Sequence, residues 1–89
     1  MKLGIVTGSV TATIKHPVYE GHRLLLMHPA DPGGKIIGEG IICLDMAQAG
    51  PGDRVLYIDE GNSARMILGD SAAPVRTVIV GIVDAVDAP

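Results

Sequence analysis

Residues 3–14 read LGIVTGSVTATI. The stretch is rich in β-branched residues and predicts one long strand, ended by His16-Pro17. Val6, Val10, Ala12 and Ile14 share one face at period two. Gly8 stands among them, and a glycine inside a strand pattern marks a bend or bulge of the kind that turns a barrel corner. Four more runs follow. Residues 23–28 (RLLLMH) form a strand too apolar to be solvated on both faces. Residues 36–44 form a third strand, weakened on one face by Gly38 and Gly40. Residues 54–58 form a fourth and 75–83 (VRTVIVGIV) a fifth, with the tail DAVDAP beyond.

HPADPGGK (28–35) and AGPGD (49–53) are turns by composition. Asn62 or Ser63 is placed to cap one short helical turn over 64–68, which Pro74 keeps from continuing. Five short strands with regular turns in so short a chain predict a small all-β, closed barrel of the oligonucleotide-binding (OB) type. One helical turn leaves no room for βαβ crossovers, so a parallel sheet is not expected.

The 89 residues suffice for one domain, taken as 1–89. A domain of this size buries roughly 60–65% of its unfolded surface, which leaves a thin stability margin. Disulfides, metals and oligomerisation are the usual remedies. A single cysteine rules out an internal disulfide and fits a reducing, cytoplasmic setting. With no Phe or Trp, the core falls to Val, Ile, Leu, Met and Ala. Seven basic against ten acidic residues give a net charge of −3, the wrong sign for a nucleic-acid partner. Met1-Lys2-Leu3-Gly4 does not begin a signal peptide, and no apolar run approaches the ~20 residues of a transmembrane helix, so no membrane partner is expected.

The chemical motifs are sparse. His16, His22 and His28 recur every six residues with Asp31 nearby, but Pro17 and Gly21 interrupt any shared face, so no metal site is expected. Cys43 lies in an apolar strand and reads as a buried small hydrophobe, not a nucleophile. Gly33-Gly34-Lys35 and Gly38-Glu39-Gly40 are fragments of phosphate loops without the required spacing. Asp59 and Glu60 read as a solvated strand end. Tyr19 and Tyr57 are the only aromatic residues for stacking on a single strand. No catalytic constellation and no cofactor is indicated. Gly61-Asn62-Ser63-Ala64-Arg65, between the last two strands, remains open to three readings: catalytic loop, anion cradle or subunit contact.

Several segments together resemble one family, the small vertex proteins of bacterial microcompartment shells. It includes the pentameric vertex proteins of carboxysomes and the small shell protein of ethanolamine-utilisation compartments. LGIVTGSVTATIKHP resembles the family's first strand and the basic stretch after it. Residues 20–27 (EGHRLLLM) resemble its EGxKLLxV segment, with Pro29-Ala30-Asp31 following. Residues 49–56 (AGPGDRVL) match its GAGxGDxVL turn and strand, residues 61–65 (GNSAR) its GSSAR loop, and residues 80–84 its final VGIVD strand.

The resemblance implies a non-catalytic barrel subunit assembling as a homopentamer. The ring closes the five-fold corners of a polyhedral shell in the cytoplasm, alongside hexameric shell proteins of the same compartment. It also gives the loop a role. Equivalent loops crowd together in a ring, which suits Gly61, Ser63 and Ala64, and Arg65 supplies a planar fork of donors for a neighbouring subunit. An intrachain salt bridge or a helix C-terminal charge for Arg65, and a tight turn at Gly61-Asn62, remain open beside that role. One position departs from the family. An acid often follows the proline that opens its last strand, whereas here Arg76 follows Pro74-Val75. Arg76 is therefore a candidate interface residue whose contact differs from the family's. The alternative of another class is an OB-like module for a small ligand or single strand.

Overall fold

In the computed structural model, residues 1–11, 22–60 and 76–86 are described. They form five strands: β1 (Lys2–Val10), β2 (Arg23–Pro29), β3 (Ile41–Asp45), β4 (Arg54–Asp59) and β5 (Thr77–Ile82). The strands close into a barrel in the order β1-β2-β3-β5-β4, with β4 pairing back onto β1. The expected OB-like barrel is therefore present. Among the described residues there is no helix, and the helical turn expected over 64–68 lies outside them.

One ladder corrects the sequence reading. β3 and β5 run parallel, with Leu44 opposite Val78 and Asp45 opposite Ile79. The other four ladders are antiparallel. The absence of βαβ crossovers excludes parallel pairing only when a helix must supply the return path. Here β4 lies between the two strands in sequence, and the chain crosses the barrel through it.

β1 holds a second correction. Val6 lies opposite Met27, but Gly8 lies opposite Leu26, so Thr7 is an extra residue and β1 is bulged at the expected place. The bulge also flips the faces. Val10 lies opposite Leu24, three residues from Met27 on β2, so Val6 and Val10 point to opposite sides of the sheet. Val6 packs in the interior and Val10 looks outward. Ala12 and Ile14 lie outside the described residues. β3 also begins later than expected. Ile36 touches the sheet only through a single bridge to Ala30, and the ladder starts at Ile41.

The interior is built from Val6, Leu25, Met27, Cys43, Ala49, Val55, Tyr57 and Ile79, all nearly inaccessible to water. Truncating one of the large aliphatic members, such as Leu25→Ala, is worth about 2–5 kcal/mol. Gly4 belongs to this packing, because a Cβ there would sit 2.2 Å from the Met27 sulfur. The β3–β4 connection ends in a type II turn. Gly50 C=O accepts from Asp53 N–H at 3.0 Å, Pro51 takes the second position, and Gly52 adopts φ +93° at the third. Gly52 N–H then donates to Val6 C=O at 2.8 Å, which ties the turn to β1 beside the bulge.

Candidate functional site

The loop singled out in the sequence, Gly61, Asn62, Ser63, Ala64 and Arg65, lies outside the described residues. The residues at its two ends are described. Asp59 closes β4, directly opposite Thr77 at the start of β5. Its Oδ1 accepts from the Thr77 hydroxyl at 3.0 Å and from Arg76 Nε–H at 3.1 Å. The Thr77 bond, helped by Arg76 and Lys2, outweighs burial and holds the Asp59 carboxyl below its ordinary range. Asp59 is thus a strand end still partly open to water, at 27% exposed, and also partnered within the subunit. Arg76 meets it within the same subunit and keeps 75% of its side chain exposed.

A second cluster was not anticipated. Asp45 ends β3 with its side chain 2% exposed, and Arg23 NH2 donates to its Oδ2 at 3.2 Å. Asp45 Oδ1 accepts from the backbone N–H groups of Ala47 at 3.0 Å and Ala49 at 3.3 Å. Arg23 also donates to Ala49 C=O. The buried carboxylate therefore folds residues 46–49 around itself and seats Ala49 in the core. Gln48 takes a left-handed conformation, φ 57°, to complete the loop, a strain of about 1 kcal/mol or more for a residue with a side chain. Arg23, Asp45, His22, Met46 and Gln48 line an open depression of about 290 Å³. An Asp followed at two and four residues by small residues, as in Asp45-Met46-Ala47-Gln48-Ala49, is a local signal for such a turn. Its cation, from β2, is not local.

The remaining candidates resolve individually. His28 Nδ1 lies 3.1 Å from Gly38 C=O, His22 lines the depression, and His16 is outside the described residues. Among the described residues no three His, Cys, Asp or Glu side chains gather in a way that would hold a metal ion. Cys43 is fully buried. Burial first, and the Asp59 charge second, push its thiol up to about 12, far from a reactive thiolate. Tyr57 is 2% exposed in the barrel interior, where it has no free ring face to stack on a base. Gly33-Gly34-Lys35 is a turn closed on Asp31, whose carboxylate accepts from Lys35 N–H at 2.9 Å.

Comparison with known proteins places this geometry. The family described as ethanolamine utilisation protein EutN/carboxysome matches residues 1–84. The bacterial microcompartment shell vertex protein EutN of Escherichia coli K12 is 36% identical over 86 residues, covering 97% of this chain and 90% of that protein. A solved structure of an ethanolamine utilization protein, EutN, superposes with a TM-score of 0.88 at 35% identity, over 99% of this chain and 91% of that one. The GrpN pentameric microcompartment shell protein of Rhodospirillum rubrum superposes with a TM-score of 0.82 at 27% identity, over the full length of both chains. Matched by the family over residues 1–84 and 36% identical to a curated member along 97% of its length, the chain belongs to the EutN/carboxysome family.

Proposed function

We propose that five copies of this chain form a ring that caps the five-fold corners of a bacterial microcompartment shell. The observation that carries this reading is the full-length superposition on a pentameric shell protein. The role is geometric. A corner piece needs a rigid wedge-shaped subunit, and a barrel with no free sheet edge supplies one. Two described polar clusters hold loops in place: Asp45 and Arg23 fold one, and Asp59, Arg76 and Thr77 join the strand ends that flank another. The ring works without catalysis or a cofactor. It sits in the shell, where its neighbours are the hexameric shell proteins of the same compartment. Interior Tyr57 and the negative charge disfavour the OB-type binding of a single strand.

Within this reading, Gly61, Asn62, Ser63 and Ala64 give a loop small enough to crowd at the subunit seam, and Arg65 reaches a neighbouring carbonyl or carboxylate. Native mass spectrometry tests both levels. The wild-type chain is expected as a pentamer, and a monomer at micromolar concentration overturns the reading. Arg65→Ala is expected to weaken the ring by roughly 2–5 kcal/mol if its contact is desolvated. Ser63→Trp is expected to disrupt the ring by crowding. If both variants leave the ring intact, the loop is a turn and nothing more.

A further inference from the structure

The register of the barrel exposes a face that the interior does not need. On β2 and β3, Leu25 and Cys43 oppose each other inside. The alternate pairs, Leu24 with Leu44 and Leu26 with Ile42, must therefore point outward. The Thr7 bulge carries this pattern onto β1, setting Val10 opposite Leu24 and Gly8 opposite Leu26. Two rows result on the outer surface, Val10–Leu24–Leu44 and Gly8–Leu26–Ile42. Neither contains a polar side chain. The outer face of an antiparallel sheet that meets water normally alternates to polar residues at these positions.

The two rows differ in cover. Leu44 is 1% exposed and Val78, beside it on β5, is fully buried, yet neither belongs to the interior cluster. The subunit already covers that end of the outer face. At the other end Ile42 is 58% exposed. Leu26, at the middle of the Gly8–Leu26–Ile42 row, has a glycine on either side: a Cβ at Gly8 would stand 4.0 Å from Leu26 Cβ, and one at Gly40 would stand 3.0 Å from Leu26 Cδ1. The sheet there is apolar and low in relief, so another backbone can approach closely.

We infer that the outer face of β1, β2 and β3 around Leu26 and Ile42 is the seam that receives the next copy of this chain in the ring. The inference rests on the proposed ring and names its contact face. A second copy is the occupant because a full-length structural relative is pentameric, and every subunit of a ring must cover one such face. A five-fold ring joins unlike surfaces, so this face meets a different surface of its neighbour. Its exposed apolar centre, with His28 and Thr7 at the edge, has the apolar-core and polar-rim layout of an interface.

Two variants of the full chain test it. Ile42→Glu places a charge on an exposed position, so the subunit folds normally by circular dichroism. The ring is expected to dissociate at a protomer concentration about thirtyfold or more above that of the wild type, the scale of an interface hot spot. Ile42→Cys supplies a thiol beside buried, unreactive Cys43. A maleimide is expected to label it in dilute monomer and to leave it unlabelled in the ring. If the wild-type chain forms no ring, the vertex reading fails and this inference with it. If the wild type is a ring and Ile42→Glu dissociates at the same concentration, or the Ile42→Cys thiol is labelled as fast in the ring as in monomer, the seam lies elsewhere and only this inference fails.

Discussion

Two arginine–aspartate pairs of almost equal length, each with a largely exposed arginine, differ in how deeply the aspartate is buried. Arg23 and Asp45 meet at 3.2 Å, and Arg76 and Asp59 at 3.1 Å. The Asp45 side chain is 2% exposed and that of Asp59 27%. Distance alone would rank the pairs as equals. Their surroundings do not. Asp45 is enclosed by the loop it organises, and its two oxygens satisfy two backbone N–H groups as well as Arg23. Asp59 sits at the barrel rim, where water competes for both partners. A buried carboxylate that closes a loop is costly to remove because it strands donors that water cannot reach. A rim pair exchanges its partner for water at little cost.

The largest expected effect therefore falls on the buried member. Asp45→Ala leaves the N–H groups of Ala47 and Ala49 without their acceptor and frees the strained loop around Gln48. It is expected to destabilise the subunit by about 2–4 kcal/mol. Asp45→Asn keeps an oxygen for the two N–H groups and loses only the charge, so it should cost distinctly less. Urea unfolding at fixed protomer concentration measures both, the concentration being held because any ring contributes to apparent stability. Equal losses for Ala and Asn would show that the ion pair, and not the loop, is what Asp45 supplies.

This contrast also marks what was legible beforehand. The strands were legible because β-branched runs such as 75–83, which follows Pro74, stand out between turn residues, and the bulge because Gly8 interrupts such a run. The face of Val10 was not. Valine fits either side of a sheet, so period-two reading continued through a bulge that reverses it. The parallel β3–β5 ladder was hidden because it depends on strand order, which local pattern does not encode. Arg23 and Asp45 are 22 residues apart and opposite only once β2 and β3 are in register. The family resemblance, by contrast, needed no geometry: its segments follow in order along the chain, and the family matches residues 1–84. The loop at 61–65 was legible as a motif and lies outside the described residues.

An intermediate effect is expected from acid. The folded carboxyl of Asp59 titrates below the ordinary aspartate value of 3.8, chiefly through Thr77. A lowered folded pKa stabilises the fold above the unfolded value, and that stability is lost as pH falls through the folded one. Asp59→Asn should therefore flatten part of the decline in unfolding free energy from about pH 5 downward, with no matching change near neutral pH. An unchanged acid slope in Asp59→Asn would mean that the Thr77 bond stabilises the charged and neutral forms alike.

Arg76→Ala should have the smallest effect on the fold and is the most informative about assembly. Its guanidinium is largely in water, and after its removal Asp59 keeps the stronger influence, the Thr77 hydroxyl. Truncation is therefore expected to cost the isolated subunit about 0–1 kcal/mol. The same exposure that makes Arg76 cheap to lose within the subunit leaves most of its donors facing outward. In a ring those donors have a second chance to be buried, and a charge-assisted contact that is desolvated there carries roughly 2–5 kcal/mol. The two contributions separate cleanly in one experiment, unfolding of dilute monomer beside the ring distribution at higher concentration. A variant that alters neither confines Arg76 to a solvated rim pair. A variant whose subunit unfolds as the wild type does while its ring dissociates makes Arg76 a seam residue.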